Sequence, residues 1–522
     1  MSRRSDSSLE LTGEGDVEAV SPLDTKRATR WGLSPYIALI PICAGVFVAA
    51  DDQTVVVTVL PQIMLDMRVP ITELDTASWT ITAYLLGYVV AMPLIGRLSD
   101  VWGHRRMFVA SMLLFMAGSV AAAMAPNLPA LIGIRVVQAL GAGALVPISI
   151  AIAGDLFPPG KRGLALGLIG GAAEAGGVIG PLWGGLVLRY LDWRWVFWMN
   201  VPLGAAVLVV LVLMLARSPT FKAKVDYLGG ALVAIALAAL TLGLARVDEP
   251  DALMGIYLAA SVAALAALVL RHRLAQESLF PRGMFTAWAV KAANATHLLV
   301  GGALIIGMVT IPFMADTVIG LPPLEGGLRL MRMTAAIPFG AVLGGLACQR
   351  MDYRIPTVAG LLLAALGFAL MSTWDLAIGE PMLTVHLALA GFGFGLLIAP
   401  IALAATEPVG EASRGTAAGV VTAMRMVGMT FGLAALTAWG SGRFATLAGG
   451  VPLPLPLVGE TEAQSAERLA AYQSQVTDIG MSLFIEFFIV AMAVCLIALL
   501  PAIFMAWDHR RHGQSRSAKC RG

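Results

Sequence analysis

Ionisable side chains buried in long apolar runs are the residues of this chain that could do chemistry. Asp51, Asp52, Arg135, Glu174 and Arg425 all fall in stretches otherwise rich in Ala, Val, Leu, Ile and Gly. A charge in such a setting is costly unless paired or hydrated, so each implies a partner, and a carboxylate there can take up and release a proton. Glu174 lies about 12 residues, or roughly 18 Å, into its run, and Arg425 a similar distance into its own, both near the middle of a bilayer. The chemistry they suit is proton binding and the making and breaking of ion pairs. A Glu174–Arg425 pair could lock one conformation and open when Glu174 is protonated; the alternative is a permanent buried ion pair. Asp52 falls near the depth of Arg135, with proton coupling or a purely structural pair as the two readings. Two adjacent acids cannot share one helix face, so Asp52 is expected toward a central cavity and Asp51 toward a neighbouring helix or water.

Other chemistries find no footing. The four cysteines (Cys43, Cys348, Cys495, Cys520) lack disulfide or metal spacing, and the six histidines form no metal motif. Gly160-Lys161-Arg162 fails as a phosphate loop, because no Ser or Thr follows the lysine. Gly391, Gly393 and Gly395 sit inside an apolar run and read as packing. No nucleophile–base set appears, so the chain is not expected to be an enzyme. No cofactor, metal or nucleic-acid partner is expected, and energy would come from an ion gradient, such as that of protons, or from the substrate's own gradient.

The elements that must position these charges are membrane spans. Hydrophobic residues make up 58% of the chain and only 13% are charged, with a mean hydropathy of +0.81. Apolar runs of about 20 residues recur from end to end. They predict an all-α polytopic membrane protein with fourteen transmembrane helices at 35–62, 76–96, 106–125, 128–154, 163–188, 194–216, 226–245, 252–271, 286–314, 324–348, 355–373, 381–405, 415–440 and 479–507. Residues 1–30 are polar and form no cleavable signal peptide. Arg27, Arg30, Arg105, Arg106, Lys161, Arg162, Lys222, Lys224, Arg350, Arg354, Arg414, Arg510 and Arg511 fall on one side of these spans. Asp66, Glu73, Asp75, Asp248, Glu249 and Glu460 fall on the other. The excess of bases predicts that the first side, with both termini, is cytosolic.

Two internal echoes predict a repeat. Gly96-Arg-Leu-Ser-Asp100 is echoed by Gly344-Gly-Leu-Ala-Cys348, 248 residues on, and Arg162-Gly163-Leu-Ala165 by Arg414-Gly415-Thr-Ala417, 252 residues on. The expected organisation is 6+2+6: a tail over 1–34, a six-helix half over 35–216, two extra helices and linkers over 217–285, a second six-helix half over 286–507, and a tail over 508–522. The second half includes a long external loop over 441–478. Paired halves suit alternating access, in which they rock about a midplane site. The second offset maps Glu174 next to Arg425, so the acid and the base should meet from opposite halves.

Further residues define candidate surfaces. Gly176, Gly180 and Gly184 recur every four residues and make a smooth helix face, with Gly185 beside it and Pro181 inviting a bend. Gln138 stands one turn after Arg135 and could line a cavity. Lys291, Asn294 and His297 recur along one helix near the cytosolic side and could line a cavity, although Lys291 suits an interfacial position as well. Glu325, Arg329 and Arg332 could line an external vestibule or form an interfacial pair. Pro452, Pro454 and Pro456 stiffen the 441–478 segment, and the stretch from Glu460 to Gln475 is compatible with a polar helix.

The string Gly96-x-Leu98-x-Asp100-x-x-Gly103-x-Arg105-Arg106 resembles the signature loop between spans two and three of the major facilitator superfamily. Asp52-x-Thr54 with Leu60-Pro61, Arg135-x-x-Gln138, Gly176-x-x-x-Gly180-Pro181-x-x-Gly184-Gly185 and Asp192-Trp-Arg194 through Asn200-Val-Pro202 are similar to elements of its fourteen-span drug:proton antiporter family. Ala83-Tyr84 through Tyr88 and Met424-Arg425 through Met429 are similar to a mycobacterial branch that exports drugs and triacylglycerides with a periplasmic lipoprotein. Asp51, Ala139 and Val101 depart from the family pattern. The resemblance implies a monomeric, proton-coupled antiporter of the multidrug-efflux type, exporting lipophilic and amphiphilic compounds across the bacterial inner membrane by alternating access. Asp52, Glu174 and Asp51 would be proton sites, Arg135 and Arg425 their countercharges, and Gly96, Arg97, Asp100, Gly103, Arg105 and Arg106 the cytosolic gate. A lipid exporter of the triacylglyceride type with a periplasmic partner is one alternative, and a non-transporting membrane sensor or scaffold is another.

Overall fold

A computed structural model of the chain describes residues 34–506, apart from 217, 219, 221–224, 248–249, 276–277, 377 and 455–460. Both tails, and with them Arg27, Arg30, Arg510 and Arg511, lie outside the described residues, as do Lys222, Lys224, Asp248, Glu249 and Glu460. Among the described residues, fourteen helices are long and apolar enough to cross a membrane. They are α1 (Pro35–Asp66), α2 (Leu74–Trp102), α3 (His104–Ala123), α4 (Leu128–Leu156), α5 (Arg162–Tyr190) and α6 (Arg194–Met214). After α7 (Tyr227–Leu244) and α8 (Ala252–Leu274) come α9 (Trp288–Thr317), α10 (Pro323–Ala347), α11 (Arg354–Met371), α12 (Met382–Thr406), α13 (Arg414–Ala448) and α14 (Glu462–Ile503).

Within a bilayer, apolar side chains gain little by leaving lipid, so helices associate where small residues let backbones approach. In the first half, a Cβ at Gly176, Gly180 or Gly184 of α5 would collide with the α1 backbone or side chains between Phe47 and Thr58. Gly185, in contrast, faces open space, and α5 continues as unbroken helix through Pro181. Gly87 of α2 abuts Val136 and Ala139 of α4, and Gly141 of α4 abuts Ser111 and Phe115 of α3. The second half repeats the scheme: Gly301 of α9 meets the Arg425 backbone of α13, and Gly391 of α12 meets that of Met333 in α10.

Of the extra pair, α7 packs against α2, with Gly230 against Leu94, and α8 packs against α7. Asp226 anchors its base. Its carboxylate accepts from Gly229 N at 2.8 Å, Leu279 N at 3.2 Å and Arg271 Nε at 2.8 Å. Burial pushes this carboxyl up, but the Arg271 side chain and the two backbone amides outweigh it and hold it below the ordinary carboxylate value. A group so depressed stabilises the fold above its unfolded pKa, and that stability is lost as pH falls through the folded value. Asp226→Asn is therefore expected to cost about 2 kcal/mol at pH 7. Its thermal midpoint should converge with that of the wild-type protein as the pH drops below about 4.

The expected external loop over 441–478 is largely helix. Thirty-five residues make up α13 and 42 make up α14, about 50 and 60 Å of helix against a hydrocarbon core of about 30 Å. Both run past the membrane as a helical hairpin, joined over 449–461. A capping box, Thr461 with Gln464, starts α14, and an Arg443–Glu486 ion pair at 2.9 Å ties the two helices. The polar helix expected up to Gln475 is present from Glu462 as the start of α14; hydropathy alone ends the spans short of these turns because their residues are polar.

Candidate functional site

The α1 helix carries Asp51 and Asp52 side by side, and the structure sends them in different directions. Asp52 is fully buried inside the first half rather than turned to a cavity. Its Oδ2 accepts from Arg135 Nη1 at 2.5 Å, and its Oδ1 accepts from Gln138 Nε2 at 3.0 Å and Asn200 Nδ2 at 2.7 Å. Ser119 Oγ accepts from both amides, at 2.8 and 3.3 Å. The guanidinium of Arg135 lies 3.9 Å from the centroid of the Tyr84 ring. Both carboxylate oxygens thus accept hydrogen bonds, which is how a buried charge is made tolerable. Gln138 thus belongs to this network and not to an open cavity. Asn200, Ser119 and Tyr84 are members that sequence reasoning missed; the available signals were Asn200 in the Asp192–Pro202 motif and Tyr84 in the Ala83–Tyr88 one. Asp51 instead lies beside α5, where Gly180 abuts its carbonyl, and its own Oδ1 is buried without a hydrogen-bond partner among the described residues.

Glu174 and Arg425 meet across the halves, Arg425 Nη1 donating to Glu174 Oε1 at 2.5 Å, with side chains 18% and 15% exposed. Each sits about 17–18 Å from the start of its helix. The Tyr88 side chain of α2 lies within electrostatic reach of both, and its ring stacks on Tyr84 with centroids 6.0 Å apart. Asn294 and His297 of α9 are buried on this side of the second half, and the His297 ring touches Val421 O. Lys291 does not join them: it is exposed, with its ammonium 4.9 Å from the Trp288 ring centroid.

The signature loop closes one face of the molecule. Gly103, at φ 93°, takes the left-handed backbone that turns α2 into α3. Asp100, 1% exposed, reaches across to the first turn of α13 and accepts from Gly415 N at 2.6 Å, Thr416 N at 2.8 Å and Thr416 Oγ1 at 2.5 Å. A carboxylate capping a helix N-terminus satisfies free amides and complements the helix dipole. Arg97 Nη1 donates to Ala412 O at 3.4 Å, and Gly96 abuts Gly415. His104, a residue without an assigned role in the sequence reading, bridges Asp100 and Asp155, and Arg414 reaches Asp155 at 3.4 Å. Arg105 turns away to α6, donating to Val212 O at 2.9 Å, and Arg106 is exposed. At the second seam, Gly163 of α5 abuts Gly345 and Cys348 just as Gly415 abuts Gly96 and Asp100. All these cross-half contacts lie between this face and the level of Glu174 and Arg425. At the opposite end of the spans, Arg332 of α10 pairs with Glu380, and Arg329 Nη1 is buried without a hydrogen-bond partner among the described residues.

Two repeated six-helix halves, packed together at one face and joined near mid-depth by a charge pair, define a multi-pass membrane transporter rather than an enzyme. A family model described as Major Facilitator Superfamily matches residues 42–433. The chain belongs to that superfamily. It is 36% identical to a triacylglyceride transporter of Mycolicibacterium hassiacum, over 91% of this chain and 93% of that protein. It is 34% identical to a triacylglyceride transporter of Mycobacterium tuberculosis, over 90% and 94%. Among solved structures, a proton:xylose symporter matches with a TM-score of 0.57 at 13% identity, covering 88% of this chain and 94% of that one. The human organic anion transporter MFSD10 matches with a TM-score of 0.57 at 14% identity, covering 89% and 100%. These two likenesses concern the fold alone.

Proposed function

We propose that the protein exports bulky neutral lipids of the triacylglyceride class from a bacterial inner membrane in exchange for protons, with the signature-loop face in the cytosol. The observation that carries the coupling is the Glu174–Arg425 pair, a carboxylate and a guanidinium from opposite halves that close on each other at mid-depth. Protonating Glu174 removes the attraction that holds the halves together there, so proton entry would favour a change of access. The names of the curated relatives support lipid cargo over drugs. Asp52 and Arg135 act in this reading as a fixed charge pair that keeps the first half rigid, and Asp51, beside the glycine face of α5, is a second candidate proton site.

The test is transport in proteoliposomes under an imposed pH gradient, with a labelled triacylglyceride and a lipophilic dye offered side by side. Gradient-driven triacylglyceride movement is expected for the wild-type protein and should fall by about a hundredfold in Glu174→Gln. Undiminished gradient-driven transport by that variant would refute the coupling assignment, and movement of the dye alone would refute the lipid one.

A further inference from the structure

The imidazole of His297 is more than nine-tenths buried. Its Nδ1 lies 2.7 Å from the Val421 carbonyl oxygen. A carbonyl can only accept, so Nδ1 carries the proton, and in the neutral ring Nε2 is then a bare acceptor. That Nε2 is buried and has no hydrogen-bond partner among the described residues. A buried acceptor left empty carries its whole desolvation penalty, and folded proteins retain few of them.

The natural donor stands next to it. Val421 precedes Arg425 by one helical turn on α13, and Gly301, one turn beyond His297 on α9, is the residue that abuts the Arg425 backbone. Arg425 lies within electrostatic reach of the ring. In this closed arrangement its guanidinium is engaged elsewhere, on Glu174. A guanidinium released at that depth needs another acceptor at once. Glu174 on α5 and Tyr88 on α2 both belong to the other half and leave with it. The parts of α12 and α14 from Ile398 to Thr406 and from Cys495 to Ala506 carry no charged side chain, the charges of α10 (Glu325, Arg329 and Arg332) lie at its far end, and Lys291 of α9 is exposed. Asn294 Oδ1 is also a buried acceptor without a partner among the described residues, but it stands a turn farther than His297 from Gly301, where α9 meets the Arg425 backbone.

We propose that His297 Nε2 is the second seat of Arg425: once Glu174 is protonated and the halves part, the guanidinium turns from that carboxyl to the imidazole nitrogen of its own half. This inference rests on Glu174 being the proton site. His297 is then a positioning residue that stays neutral throughout and gives the alternate state a place for its buried cation.

The test uses the full chain in nanodiscs, on a background with its cysteines replaced. Spin labels at positions 161 and 351, exposed on the two halves at the closed face, report the ratio of open to closed molecules. Glu174→Gln is expected to raise the open population. Adding His297→Phe should reverse that ratio by about tenfold, while adding His297→Gln, whose amide oxygen can accept, should preserve it. A Glu174→Gln/His297→Phe protein as open as Glu174→Gln alone would overturn the second seat and leave the Glu174 assignment standing. No response to Glu174→Gln itself would overturn the assignment, and the seat with it. An independent reading comes from 15N-labelled histidine: the His297 Nε2 resonance should move upfield in Glu174→Gln as it accepts a hydrogen bond, and an unmoved resonance argues against the seat even if a variant misfolds.

Discussion

Replacing Asp52 with alanine is expected to unfold the first half of the protein, with a loss of about 3–5 kcal/mol. The change removes the carboxylate but leaves the Arg135 guanidinium fully buried, with Gln138, Asn200 and Ser119 arranged around an empty place. The Tyr84 ring remains as a cation–π partner but cannot neutralise the charge. The expected readout is a steep drop in thermal midpoint and in monodisperse yield from detergent. Asp52→Leu combined with Arg135→Met should recover most of the stability, because removing both members of a buried pair costs far less than removing one. If Asp52→Ala proved as stable as the wild-type protein, the network could not be what holds α1, α4 and α6 in register.

Gly415→Val is the second large expected effect, and it should act on conformation rather than on folding. The missing Cβ of Gly415 faces Gly96 O, Ser99 Oγ and Asp100 Oδ1, all from the other half. A valine there cannot coexist with the α2–α13 approach, so Asp100 would lose its hold on the two amides of α13. Overpacking of this kind costs about 1–3 kcal/mol or more, enough to shift the balance away from the closed face by tenfold to a hundredfold. Thiol-reagent access to a cysteine placed at the seam should rise accordingly, while each half keeps its own thermal stability. Gly410→Val, where nothing approaches within 4 Å, is the control. Equal accessibility in the two variants would mean that the α2–α13 seam does not gate this face.

Much of this was legible in the residues alone, and the parts that were not share a cause. Apolar runs located the spans because a bilayer imposes a length and a composition. The 252-residue echo brought Glu174 to Arg425 because pseudo-symmetry fixes depth. Depth says nothing about rotation about a helix axis, however. Sequence alone therefore turned Asp52 toward a cavity, whereas helix packing turns it into the first half. The same gap hid Asn200, Ser119 and Tyr84, whose hydrogen bonds and stacking exist only once α1, α2, α3, α4 and α6 are assembled. His104 drew no role from the sequence; only its position between Asp100 and Asp155 sets it apart.

The overlong helices α13 and α14 make the second half a lever. Continuous helix carries displacement without a joint to absorb it, and the two rods are cross-tied by Arg443 and Glu486. For a pivot at the level of Glu174 and Arg425, the hairpin tip stands about three times as far out as the membrane surface does. Its arc is longer in the same ratio, so a tilt that barely parts the buried charge pair sweeps the tip through a broad stroke in the aqueous space beyond.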